Sequence, residues 1–234
     1  MRIPSTITRI AQQTPTIKSF DLDLGGRELG FKPGQWVDFF VSLEGAEAVG
    51  GYSITSSPSV QDSIGLAVKL DEGDHPVTNW LHREARVGDS VEISLGGDFY
   101  YTPDMDGPIV LIAGGIGLTP LMSIVRAIDE SDHSTPATLI YSVSTPSEIL
   151  FRQDLEDIAR RNPAFRPVFT ITRPEGQEWN GHSGRIDYVL LHQAEVSPDS
   201  LFFICGPPDM IRDVIGMLVR LGAPGSRIKY EQWW

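Results

Sequence analysis

Through its first hundred residues the chain alternates apolar and polar side chains in short runs. Residues 6–12 and 16–24 follow the two-residue period of strands with one face in a core and the other in solvent. Gly25-Gly26 and Lys32-Pro33-Gly34 punctuate the run, and residues 35–41 resume as a third strand. Residues 52–55, 65–70 and 90–95 supply three more, with one helix over 77–84. Six short strands at this spacing predict a small antiparallel barrel.

After Pro103-Asp104-Met105-Asp106-Gly107-Pro108 the texture changes. Residues 109–113 form a continuous apolar run, as expected of a strand covered on both faces. Helical periodicity follows over 120–130, then a strand over 137–143, a helix over 148–161 and a strand over 168–172. A last strand, 201–205, leads into a helix over 208–221. Strands alternating with helices predict a parallel sheet. The expected architecture is therefore an antiparallel six-stranded barrel in residues 1–104, followed by a Rossmann-like α/β domain with a parallel sheet in residues 105–234.

Composition narrows the function classes. The chain has 234 residues, 41% of them hydrophobic, enough for two small domains with cores of their own. Its single Cys excludes a disulfide scaffold, a Cys-ligated zinc site and an iron–sulfur cluster carried on the chain. With 19 Lys+Arg against 31 Asp+Glu, the formal charge is −12. That balance speaks against a nucleic-acid surface, because phosphate binding needs a positive patch. No run of about 18 apolar residues occurs, so no transmembrane segment is expected. The first residues have neither signal-peptide nor transit-peptide character, and a cytoplasmic protein is expected. Only Lys18, Lys32, Lys69 and Lys229 are lysines. An acidic excess with so few lysines fits solubility in high salt, and fits plain composition bias equally.

The strongest local pattern is Ile109-Val110-Leu111-Ile112-Ala113-Gly114-Gly115-Ile116-Gly117-Leu118-Thr119-Pro120. A buried strand runs into a glycine turn and then a helix. Such glycines let the backbone approach a pyrophosphate, whose charge meets free N–H groups at the helix start. Pro120 takes the place of the usual third glycine and suits a first helical turn. The same pattern also occurs in purely structural βα turns. A second pattern, Phe202-Phe203-Ile204-Cys205-Gly206-Pro207-Pro208, lies at the carboxyl end of a later strand, where open α/β sheets place ligands. A third, Gly50-Gly51-Tyr52-Ser53-Ile54-Thr55, would by itself be an ordinary turn into a strand, as would Ala67-Val68-Lys69-Leu70. His75-Pro76-Val77-Thr78 opens a helix whose exposed N–H groups can take a phosphate.

The order of these pieces is the specific feature. Tyr-Ser in a barrel, then Gly-Gly-Ile-Gly-Leu-Thr-Pro, then Cys-Gly-Pro-Pro, resembles the ferredoxin–NADP reductase superfamily across nearly the whole chain. Residues 49–58, Leu66-Ala67-Val68-Lys69, Gly96-Gly97-Asp98-Phe99 and Glu231-Gln232-Trp233-Trp234 resemble its subgroup of oxidoreductase NAD-binding domain-containing proteins. The resemblance implies a flavin-binding barrel, a nicotinamide-dinucleotide domain and electron transfer between FAD and NAD or NADP. Carried onto this sequence, it places Tyr52 against the flavin ring and Ser53 near the reactive N5 edge. Ile54, Val68, Lys69 and Leu70 would line the flavin, with Val77 and Thr78 at its pyrophosphate. Gly115, Gly117, Leu118 and Thr119 would hold the dinucleotide phosphates. Cys205, by itself readable as an inert buried residue, would sit beside the nicotinamide, with Gly206 and Pro207 shaping that wall; Glu231 is a polar group near the nicotinamide or equally a solvated acid. Trp233 or Trp234 would cover the other flavin face. Ser53, Cys205 and Glu231 are the residues this assigns to the chemistry.

One position departs from the superfamily, which usually has Arg two residues before the Tyr to neutralise a flavin phosphate. Here that position is Gly50. Losing a charge-assisted contact commonly costs about 1.5–3 kcal/mol. FAD is expected to bind less tightly, with Lys69, His75 or helix N–H groups as compensation. The choice of nicotinamide is partly readable: Tyr141-Ser142-Val143-Ser144-Thr145 carries no acid to repel a 2′-phosphate, and Arg152 and Arg173 lie near where relatives bind one. This favours NADPH, with unliganded surface arginines as the alternative. The five His residues (75, 82, 133, 182, 192) have no metal-ligand spacing, so no metal site is expected. The expected activity passes hydride from nicotinamide to FAD and electrons to an unidentified external acceptor. Three readings remain open: a reductase component for an iron–sulfur or haem partner, a reductase of small acceptors, and a nucleotide-binding regulatory or assembly subunit without turnover. The acidic charge favours a basic or small acceptor over an acidic one.

Overall fold

The computed structural model describes residues 1–71, 73–131 and 135–233. Contacts divide the chain into two units, Met1–Thr102 with Met122–Ala127, and Pro103–Leu121 with Ile128–Trp234.

In the first unit six strands form one antiparallel sheet: β1 (Ile3–Thr14), β2 (Ile17–Asp23), β3 (Trp36–Leu43), β4 (Ala46–Ser53), β5 (Ser63–Lys69) and β6 (Ser90–Gly96). They lie in the order β4-β3-β6-β1-β2-β5, and an isolated bridge between Ile54 and Leu66 links the two edges. Alternation buries Phe20, Leu22, Val37, Phe39, Ile64, Leu66 and Ile93 in a single core. Helix α1 (Pro76–Arg83) adds Val77 and Leu81, one turn apart on its buried face.

The fourth strand differs from the expectation, beginning at Ala46 rather than residue 52. Glu44 and Gly45, at φ 51° and 82°, make a two-residue left-handed turn of the kind that closes hairpins. Gly50 and Gly51 therefore lie inside the strand, opposite Phe39 and Asp38. As small residues they look like punctuation; their role here is to leave room.

The second unit carries β7 (Ile109–Gly114), the two ends of α2 (Leu118–Asp129), whose residues 122–127 group with the first unit, β8 (Ala137–Val143), α3 (Arg152–Arg161), β9 (Phe165–Ile171) and β10 (His182–Ser183). It continues with α4 (Tyr188–Gln193), β11 (Leu201–Cys205), α5 (Pro208–Arg220) and β12 (Ile228–Glu231). All six strands are parallel, in the order β10-β9-β8-β7-β11-β12. Construction proceeds outward from β7 to one side and then resumes on the other with β11, so strand order reverses between these two. Ligands of open α/β sheets bind at such a reversal. Helix α2 begins two residues before the expected 120, after a single 3₁₀ turn over Gly115–Gly117. Helix α3 begins at Arg152 rather than 148, because Phe151 at φ 52° breaks the helix from the capped turn Pro146–Glu148. Strands β10 and β12 and helix α4, of two, four and six residues, were absent from the sequence reading because so few residues display no period. Among the described residues no helix is long and apolar enough to cross a membrane.

His82 ties α1 to the barrel. Its Nε2 lies 2.9 Å from the Val68 carbonyl of β5, and Lys18 Nζ of β2 donates to the His82 carbonyl at 2.7 Å. Burial, opposed by the Val68 bond and aided by Lys18, lowers the His82 pKa. The unfolded chain therefore binds the proton more readily, and stability present above about pH 6.5 is lost as pH falls below it. Denaturant midpoints measured at pH 7.5 and 5.5 should fall with acid, and less steeply in His82→Gln; equal slopes would contradict this contribution.

Candidate functional site

In the first unit Tyr52 and Ser53 close β4 opposite Val37 and Trp36 of β3. The Tyr52 ring turns back along its own strand. It meets Phe39 edge-on, centroids 6.0 Å apart and planes at 86°, and its hydroxyl lies 3.0 Å from Thr78 Oγ1 in the first turn of α1. Burial pushes its pKa up to about 12, so the hydroxyl stays neutral and able to donate. A Cβ on Gly50 would come within 2.7 Å of that hydroxyl. The position where the resemblance expects an arginine thus lies under the Tyr52 ring, and the absence of a side chain is what permits the Tyr52–Thr78 bond.

The N-terminus of α1 has no side-chain cap and no acid in its first turn. His75, at the N-cap, instead sits 3.2 Å from Asp71. Among the described residues the buried Asn79 Oδ1 beside it has no hydrogen-bond partner. An uncapped helix start with Thr78 and an orphaned acceptor fits the phosphate and polar chain of a flavin nucleotide. Ile54, Val68 and Val77 point into the barrel core, so only their backbone can meet a ligand, whereas Lys69 and Leu70 are exposed at the end of β5. Two residues had no signal in the sequence beyond helical periodicity. Ser123 Oγ donates to the Ser56 carbonyl and Arg126 Nη1 to the Thr55 carbonyl, both at 2.7 Å, fixing the chain that follows Ser53.

In the second unit the register aligns Phe169, Tyr141, Ala113, Cys205 and Glu231 across β9, β8, β7, β11 and β12. This row lies at the carboxyl edge of the sheet. Beyond it, the turn Gly115–Gly117 passes so close to the end of β11 that a Cβ on Gly117 would collide with the Cys205 carbonyl. Thr119 is buried and donates to the Ile116 carbonyl at 2.9 Å, while Leu118 is fully buried with its N–H on the Gly115 carbonyl, so neither side chain is open to a ligand. That cradle fits a dinucleotide pyrophosphate.

Cys205 is 1% exposed, and burial, with the charge of Glu231 added, pushes its thiol pKa well up. A buried thiol held in its neutral form is a poor nucleophile. Glu231 is adjacent in register and accepts from Trp233 Nε1 at 3.1 Å. The structure thus gathers Cys205, Glu231 and Trp233; Trp234 lies outside the described residues. Gly206 and Pro207 follow Cys205 directly, Pro207 as the N-cap of α5.

The ends of β8 and β9 meet through Arg173. Its backbone N–H donates to the Ser144 carbonyl at 2.8 Å and its Nη2 to Ser144 Oγ at 3.1 Å. Arg152 is not brought there: it pairs with Glu156 at 2.8 Å, with its guanidinium over Trp179. A carboxylate outside the segment scanned for an acid, Glu148, folds back to accept from the Thr145 N–H at 3.1 Å. The Thr-Pro-Ser-Glu spacing of a capping box was its signal. Tyr141, the first residue of the acid-free segment 141–145, places its hydroxyl 3.0 Å from the Gly115 carbonyl.

Residues 5–99 match the family model of the oxidoreductase FAD-binding domain, and residues 111–215 that of the oxidoreductase NAD-binding domain. The chain is 37% identical over 247 residues to "Oxidoreductase NAD-binding domain-containing protein 1" of Danio rerio, spanning 96% of this chain and 89% of that one. Over 210 residues it is 34% identical to the glycine betaine monooxygenase reductase subunit of Chromohalobacter salexigens, spanning 87% of this chain and 56% of that one. Its fold is similar to that of the FAD/NAD-binding domain of nitric oxide dioxygenase from Vibrio cholerae. The TM-score is 0.88 at 24% identity, over 99% of this chain and 98% of that one.

The Gly117–Cys205 approach generates a direct test. Gly117→Ala should lower stability by about 1–3 kcal/mol through overpacking and abolish nicotinamide-nucleotide binding, read by thermal melting and by titration. A variant that melts and binds as the unaltered chain does would contradict the cradle.

Proposed function

The chain belongs to the family of oxidoreductase NAD-binding domain-containing proteins, with an FAD-binding and an NAD-binding domain, and from that premise we propose that it is a cytoplasmic NAD(P)H-dependent flavoprotein reductase. In this reading residues 1–104 hold FAD and residues 105–234 hold the nicotinamide dinucleotide. The observation that carries it is the close approach of Gly117 to the Cys205 carbonyl beside the reversal of strand order. When bound, the nicotinamide supplies a hydride from C4 and the flavin accepts it at N5, which leaves the protein the tasks of alignment and water exclusion.

The residues suit those tasks. Tyr52 and Ser53 present a rigid strand end, braced by Ser123 and Arg126 on the carbonyls that follow it. Thr78 and the N–H groups opening α1 receive the flavin phosphates, which is how FAD binds without an arginine at position 50. The glycine turn, with the backbone of Leu118 and Thr119, receives the dinucleotide phosphates. The protonated Cys205, Gly206 and Pro207 form a wall for the nicotinamide ring with no competing nucleophile, and Glu231 with Trp233 closes its edge. No proton-relay pair is required of the chain.

Arg173, held against Ser144, supports NADPH over NADH, since Glu148 is engaged with the Thr145 N–H. The acceptor is external. A relative that is the reductase subunit of a monooxygenase supports a protein partner, and the net charge of −12 favours a basic surface or a small molecule.

The chain reconstituted with FAD should reduce ferricyanide at the expense of NADPH, with kcat/KM higher for NADPH than for NADH. Arg173→Ala should lower the NADPH value about tenfold relative to the NADH value, on the order of 1.4 kcal/mol. Retention of FAD without turnover by either reductant would favour a nucleotide-binding subunit instead. An unchanged preference in Arg173→Ala would remove that residue from the 2′-phosphate.

A further inference from the structure

Among the described residues Tyr141 is the largest fully buried side chain, and its hydroxyl is not idle. On a strand covered on both faces a phenylalanine would fill the same space, and the added oxygen costs desolvation unless it is bonded. Both of its partners are backbone groups of the loops beyond the sheet's carboxyl edge. The hydroxyl donates to the Gly115 carbonyl at 3.0 Å and accepts from the Leu150 N–H at 3.4 Å. One side chain therefore joins the glycine turn after β7 to the segment after β8 that carries Thr145, Ser147 and Glu148.

Gly115 is where such a restraint matters. It sits at φ 54°, in the left-handed region, and a glycine offers little resistance to rotation of the next peptide. Its carbonyl also accepts from the Leu118 N–H, so it is held from two sides. In a trans peptide the carbonyl and the following N–H point in opposite directions. Holding the Gly115 carbonyl toward Tyr141 consequently directs the Ile116 N–H away from Tyr141, and release of the hydroxyl permits that peptide to flip.

We propose that Tyr141 is a positioning residue for dinucleotide binding, its hydroxyl fixing the Gly115–Ile116 peptide and coupling it to Leu150. The proposal rests on the reading of the glycine turn as the pyrophosphate cradle.

ADP-ribose is the probe, because it carries the pyrophosphate and binds without turnover. Calorimetry should give a dissociation constant about tenfold weaker in Tyr141→Phe, equivalent to about 1.4 kcal/mol, with the flavin content of the reconstituted protein unchanged. A purely structural tyrosine would lower the melting temperature and leave the affinity of the folded protein as it was, which overturns the proposal but spares the cradle. Failure of the unaltered chain to bind ADP-ribose overturns the cradle itself. Should Tyr141→Phe not fold, amide exchange in the unaltered chain decides. ADP-ribose should slow exchange at both Ile116 and Leu150, and slowing at Ile116 alone counts against the coupling.

Discussion

The second unit depends on how closely a glycine turn can approach a neighbouring strand end. Gly117 lies against the Cys205 carbonyl with no room for a methyl group, and this contact sets the geometry between β7 and β11 where strand order reverses. Parallel register does the rest, aligning Tyr141, Ala113, Cys205 and Glu231 in one row beneath the turn. Backbone N–H groups at the start of a helix are the means of holding phosphate, and they require that nothing stand in front of them. Burial then makes the row chemically quiet: the Cys205 thiol remains protonated and the Tyr141 phenol is pushed far above its ordinary range.

The first unit solves a related problem with different parts. The position where the resemblance expects an arginine is a glycine, and the space above it is taken by the Tyr52 ring, whose hydroxyl reaches Thr78. In the proposed reading dipoles take the place of that charge: a helix N-terminus left without a side-chain cap, a threonine hydroxyl and a neutral phenol. Such groups are weaker individually than a guanidinium but already oriented, and orientation recovers part of the difference. Gly50, which looks like part of a loop in the sequence, is thereby the residue that lets β4 carry a folded-back tyrosine.

Much of this was legible in the sequence, for identifiable reasons. Alternation revealed the barrel strands, and the apolar run of residues 109–113 followed by glycines revealed both a buried strand and its cradle. Gly50 and Gly51 hid the first half of β4 because glycine is read as a breaker, and only the turn at Glu44 and Gly45 explains why the chain returns so early. Helix α3 was drawn too long because Phe151 has no sequence mark of its left-handed conformation. The positions of Cys205 and Glu231 followed from order along the chain, but their adjacency required the register of β12, a four-residue strand with no pattern of its own. Tyr141, Ser123 and Arg126 were invisible as site residues, since each acts on a backbone carbonyl distant in sequence. Glu148 was readable through its capping box on Thr145.

The proposed reading is of a protein that holds two nucleotides by backbone geometry and leaves the redox chemistry to them. Anaerobic mixing of the FAD-reconstituted chain with NADPH or NADH, followed by the visible absorbance of the flavin, tests this most directly. Loss of that absorbance, faster with NADPH than with NADH, is the expected result. A correctly folded, FAD-loaded protein whose flavin absorbance persists with both reductants would contradict it.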